Sequence, residues 1–264
     1  MSRYLQSGKQ SLVVRRGATC LNLPTAAFFR AITHFNGVVE KFREFDVDVF
    51  AILGMRNLSA FIGELYAASV IAESDGTYLK NPHQDGYPDL LIMDDHGRRL
   101  WDELRTRVKD KAPFSPFAGG GIEVKATCGS VPTPAVCRRR GIEKPGMGET
   151  RISMLTGYDW KAHHRETNNL VGLLWDFVDG IPRISAAFYS SDLQESDWGR
   201  IVQPREGGGR TTSVSIMGRS GLRKMYEGWL FVLEDGGYRE FIDSHNNGSL
   251  LTLASDGPQS DWCP

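Results

Sequence analysis

Glu123 and Lys125 stand two residues apart in Gly-Ile-Glu-Val-Lys-Ala-Thr, residues 121–127. The stretch otherwise reads as a buried strand. Side chains alternate along a strand, so the two charges share one face while Val124 and Ala126 point the other way, into a core. Burying charge is costly unless it is paired or binds something. The pair is therefore either a structural ion pair or half of a metal site. A hard divalent cation wants carboxylate oxygens, and Mg2+ takes one or two carboxylates plus waters and substrate phosphate. Asp89 offers the second carboxylate. It follows Pro88, which marks a strand beginning, and Leu-Leu-Ile-Met then runs into a core.

The surrounding pattern shows what must position these groups. Residues 24–45 read as a helix opened by Pro24, with an interruption expected at Asn36-Gly37. Asn57 is the expected N-cap of a second helix ending near Gly76. That helix carries Glu64 among small residues that let another element come close. A turn-rich stretch, residues 81–88, precedes the strand of Asp89. His96-Gly97 reads as a turn, residues 101–111 as an exposed helix, and 112–121 as a loop. Residues 134–151 read as a basic loop. Residues 169–177 and 183–192 are strands joined as a hairpin through Val-Asp-Gly-Ile-Pro. Residues 211–217 form a polar, β-prone run, and the tail from 249 is expected to fray. Helices, then strands, then a mixture predict an α/β (α+β) fold with a mixed sheet in one main domain spanning 1–264.

The totals exclude several classes. A net charge of -1 argues against a uniformly basic nucleic-acid binder, so local clusters must carry any such contact. No segment approaches 18 apolar residues, and the N-terminus lacks the apolar run of a signal peptide. The four cysteines fit no disulfide scaffold. The expectation is a reduced, soluble, cytoplasmic protein. Cys128 and Cys137 lack the spacing of a zinc site. Gly-Gly-Gly-Arg, residues 207–210, lacks the Lys-Ser/Thr of a phosphate-binding loop, which disfavours a nucleotide cofactor.

Pro88-Asp89 followed by Glu123-Val124-Lys125, with Glu64 on the preceding helix, resembles the PD-(D/E)XK motif of restriction-endonuclease-like nucleases. The resemblance covers about residues 57–190 and is most like a type II restriction endonuclease. It implies a restriction-endonuclease-like core, a mixed central sheet flanked by helices, with the motif on a β-hairpin. The 33 residues between Asp89 and Glu123 would be an insertion at the hairpin tip. Residues 191–264 would complete the sheet or serve specificity and dimerisation. The implied activity is Mg2+-dependent hydrolysis of double-stranded DNA, with Mn2+ able to substitute, by a homodimer. A repair or recombination nuclease of the same fold, or a non-catalytic DNA-binding protein, are the alternatives.

Phosphodiester hydrolysis needs an activated water, charge neutralisation on the phosphate and a stabilised leaving oxygen. Asp89, Glu123 and the Val124 carbonyl could hold one cation, and Glu64 a second, or position the water. Lys125 could orient the water and stabilise developing charge. For DNA contact the candidates are Arg138, Arg139, Arg140 and Lys144 in the basic loop, and Arg205, Arg210 and Arg219 around the Gly-rich stretch. Lys161, His163 and His164 join them. As a helix, their segment would set Trp160 and His164 on one face. The bland alternatives are a solvated surface loop and a flexible hairpin.

Overall fold

The computed structural model describes residues 3–162, 165, 167–203, 213–234 and 237–245. Three strands open the chain where no element was expected. β1 (Tyr4–Gln6) is followed by a hairpin of β2 (Ser11–Arg16) and β3 (Thr19–Pro24). Pro24 thus ends a strand instead of opening a helix. It pairs with Ser11 at the hairpin's end, where a missing N–H is tolerated. α1 (Ala26–Lys41) then runs without a break through Asn36-Gly37. Phe28, Ile32, Phe35 and Val39 lie on its buried stripe, and that packing outweighs the weak propensity of one glycine.

α2 (Val49–Ala72) begins earlier than expected, at Asp48, whose carboxylate accepts the Ala51 N–H. It kinks at Gly54, where φ is 67°, a conformation glycine adopts freely. Asn57 is consequently inside the helix and donates its amide to the Leu53 carbonyl. β4 (Tyr78–Lys80) and β5 (Leu90–Ile92) follow as an antiparallel pair. His96-Gly97 is not a turn but the first turn of α3 (Asp95–Leu104), because Asp94 caps the Gly97 N–H at 2.9 Å. β6 (Gly121–Thr127) carries the charged pair.

The segment read as a basic loop contains α4 (Pro134–Arg140). Its signals were in the sequence: Thr133 caps it, Pro134 starts it, and Gly141 at φ 65° ends it. Residues 161–162 form β7 (Lys161–Ala162), not part of a helix. β8 (Leu170–Val178) and β9 (Ile181–Ser190) make the expected hairpin. Its two-residue turn, Asp179-Gly180, has positive φ at both positions (54° and 81°), the twist that suits a tight hairpin. β10 (Ser215–Ile216) pairs with β7. α5 (Arg219–Glu227), β11 (Trp229–Leu233) and α6 (Tyr238–His245) complete the described chain.

Seven strands form one mixed sheet in the order β1-β11-β9-β8-β6-β5-β4. Only β6 and β8 run parallel. α1 and α2 cover one face, over a core that includes Phe28, Tyr66, Val124 and Trp175. Trp160, Phe188, Met225 and Trp229 fill the other, beneath α5 and α6. β8 and β9 are covered on both faces, which explains their nearly continuous apolar runs. A mixed α/β sheet flanked by helices is thus the architecture. No helix of the described residues is long and apolar enough to cross a membrane. Cys128 and Cys137 are free thiols. Cys20 is disulfide-bonded, contrary to the expectation of a fully reduced chain.

Candidate metal centre and cleft

β5 and β6 are antiparallel neighbours despite the 33-residue excursion between Asp89 and Glu123. The excursion packs as α3 and a loop whose Phe114 and Phe117 bury against Leu91 and Met93. Leu90 pairs with Ile122 and Leu91 with Gly121. Extending that register sets Asp89 opposite Glu123 and Pro88 opposite Val124. Pro88 has no N–H to give the Val124 carbonyl. Its own carbonyl is taken by the buried Asn81 amide at 2.9 Å. The Val124 N–H instead donates to Asp89 Oδ2 at 2.8 Å.

Glu123 is 3% exposed, and its Oε1 is ion-paired with Lys125 Nζ. Its other oxygen, Oε2, is buried and has no hydrogen-bond partner among the described residues. Such an atom costs free energy unless something reaches it. Burial, and then the Glu123 charge, push the Asp89 carboxyl up from its usual 3.8 to about 7. Lys125 and Lys80 oppose that rise. For Lys125 burial favours the neutral amine, but the Glu123 and Asp89 charges outweigh it and hold its pKa above the ordinary value.

These groups open onto a cleft of about 660 Å³. Glu64 reaches it from α2 and forms an ion pair with Lys80. Among the described residues no three His, Cys, Asp or Glu side chains gather as a metal-holding group. The donor set on offer is therefore Asp89, Glu123 and the Val124 carbonyl. Two hard carboxylates with a peptide oxygen fit a small divalent cation that keeps some of its waters. The crowding that raises Asp89 and the lone Glu123 oxygen both fit such a guest.

Lys80, Lys111, Lys125 and Lys161 all line the cleft. Lys111 is held by Asp85 at 2.6 Å. Lys80, Lys111 and Asn81 were not singled out from sequence, because what they share is proximity across separate loops and strands. Asn169 was missed for the same reason. Its amide bridges the Gly121 and Arg15 carbonyls, and its carbonyl accepts the Glu123 N–H at 3.0 Å, pinning the start of β6. Arg138, Arg139 and Arg140 are exposed on the last turn of α4, and Lys144 is exposed beyond it; none lines the cleft. Arg219 is exposed at the start of α5. His163, His164, Arg205 and Arg210 lie outside the described residues. Asp176, near the end of β8, is buried and accepts from the Arg151 and Phe177 N–H groups and the Tyr238 hydroxyl.

Comparison with protein-family models, with curated proteins and with solved structures finds no match to this chain.

Proposed function

We propose that this protein is a Mg2+-dependent endonuclease of double-stranded DNA with a restriction-endonuclease-like core, of the site-specific, homodimeric kind. The observation that carries the reading is the pairing of β5 with β6. It sets Asp89 beside Glu123 and Lys125 at the head of a lysine-lined cleft, with one Glu123 oxygen buried and unpartnered. A structural ion pair alone accounts for Glu123 and Lys125. It leaves the second Glu123 oxygen buried without a partner among the described residues.

Asp89, Glu123 and the Val124 carbonyl would hold the cation. When bound, it would neutralise phosphate charge and acidify a water. The chain's own residues do the rest. Lys125, fixed against Glu123, presents its remaining protons to the attacking water and to the charge that develops on phosphate. The Val124 N–H fixes the Asp89 carboxylate through one oxygen and leaves the other available. Lys80, Lys111 and Lys161 supply the positive wall that a polyanion needs.

Incubation of supercoiled plasmid with Mg2+ tests the reading. Discrete linear bands support a site-specific enzyme. Ragged degradation or nicking points to a repair-type nuclease of the same fold. No cleavage with Mg2+ or Mn2+ rejects the enzyme and leaves a DNA-binding protein.

A further inference from the structure

Glu64 and Lys80 form an ion pair, and both side chains line the cleft together with Asp89, Glu123 and Lys125. The backbone fixes where that pair stands. Lys80 ends β4 and is the cross-strand partner of Leu90 in β5. The next residue, Asn81, donates its N–H to the Asp89 carbonyl at 3.0 Å. Leu90 belongs to the core beneath α2, and cross-strand partners share a face. Lys80 therefore leaves the sheet towards α2 and meets Glu64 there. Gly63, beside Glu64 in α2, packs directly on β6. A Cβ on it would lie 4.0 Å from the Val124 carbonyl oxygen and 3.9 Å from the Ala126 Cβ. The ion pair is thus tied to Asp89 through a strand ladder and to the Val124 carbonyl through a helix contact.

A second divalent cation held by Glu64 would have to sit in this same place. Lys80 already takes the carboxylate. A lone carboxylate is a poor site for Mg2+, which gives up its waters reluctantly. A tethered ammonium also acts at a high local concentration that a free ion must match. The two side chains are 38% and 40% exposed, so the ammonium keeps donors for a bound anion. Lysine binds phosphate as a point charge.

We propose that Lys80, held by Glu64, contacts the scissile phosphate in place of a second metal, so that each chain takes one divalent ion. The inference rests on the nuclease reading. Glu64 is then the residue that positions Lys80, and not a metal ligand.

The test counts Mn2+ bound per full-length chain, by the paramagnetic resonance signal of the free ion, at pH 8, where protons compete less for the carboxylates. The wild-type chain should bind one ion. Lys80→Met bares Glu64 and should bind two, and adding Glu64→Gln should return the count to one. Plasmid cleavage is followed in parallel. At the Mn2+ level that saturates the wild type, Lys80→Met should cut about tenfold to a hundredfold more slowly. Part of that loss should return at higher Mn2+, and Lys80→Arg should keep most of the rate. If Lys80→Met fails to fold, Lys80→Gln serves instead, since it leaves Glu64 a neutral donor. Two ions on the wild-type chain, reduced to one by Glu64→Gln, would make Glu64 a metal ligand and overturn the proposal. A Lys80→Met chain that still binds one ion and cuts at the wild-type rate would overturn it as well. The expected counts with no cleavage by any form would keep the single-ion arrangement and reject the nuclease reading. No Mn2+ bound by any form would reject both.

Discussion

The Val124 N–H donates to the Asp89 carboxylate at 2.8 Å, in the place where a continued ladder would have offered it the Pro88 carbonyl. One proline therefore does two things. It ends the pairing of β5 with β6, which leaves the Val124 carbonyl without a ladder donor. It also brings the next side chain, Asp89, across to fill the gap. The candidate metal ligands converge because a strand stops there.

Asp89→Asn separates chemistry from fold. The new amide oxygen still accepts the Val124 N–H, and the repulsion from Glu123 is gone. Stability at pH 8 should be unchanged or higher by denaturant titration, while plasmid cleavage drops at least about a hundredfold. Cleavage near the wild-type rate would remove Asp89 from the site.

Lys125→Met should destabilise the protein by about 1–3 kcal/mol, since it strands the buried Glu123 carboxylate beside Asp89. The figure is below that of a fully buried pair because the Lys125 side chain is 27% exposed. Glu123→Gln combined with Lys125→Met should recover much of the loss, as neither charge is then left alone. Additive losses in the double variant would show that the two residues do not act as a pair.

The Asp89 carboxyl, raised to about 7 from 3.8, sets a pH dependence. Between those values the folded protein holds a proton that the unfolded chain has released. The Asp89 contribution to stability is thus complete below the lower value and is lost as pH rises through about 7. A divalent cation competes with that same proton. Mg2+ should therefore raise Tm more at pH 8 than at pH 6, and cleavage should climb through about pH 7. Asp89→Asn should flatten both profiles. A Mg2+ effect on Tm that is equal at the two pH values would contradict the assignment.

Gly121→Ala should damage the site from outside it. A Cβ there would overlap the Leu90 carbonyl and the Pro88 ring. The segment carrying Asp89 must shift, at a cost of about 1–3 kcal/mol. Thermal unfolding and cleavage should both suffer, and cleavage by more than the loss of folded protein explains. An unchanged Tm would show that the two strands are less closely packed than they are here.

Much of the local chemistry was legible in the chain. Alternation placed Glu123 and Lys125 on one face of β6 and Val124 on the other, and Asp-Gly marked the tight turn between β8 and β9. These signals act within a few residues, so neighbours alone decide them. Helix starts were read less well: the segment holding α4 carried a cap, a proline and a glycine, yet was read as a basic loop.

Other features depended on the assembled molecule. The short strands β1 to β3 have too little sequence for a clear period and exist because β11 and the opposing hairpin arm pair with them. Arg15, Gly121 and Asn169 are distant in sequence, and only the fold makes one amide bridge the first two carbonyls. The rise at Asp89 and the Glu123 oxygen that has no partner among the described residues belong to the same class. Residue types and spacing determined which groups could do chemistry. Burial and distance decided which of them carry unbalanced charge, because desolvation and Coulomb forces are set by what surrounds a group in space and not by its place along the chain.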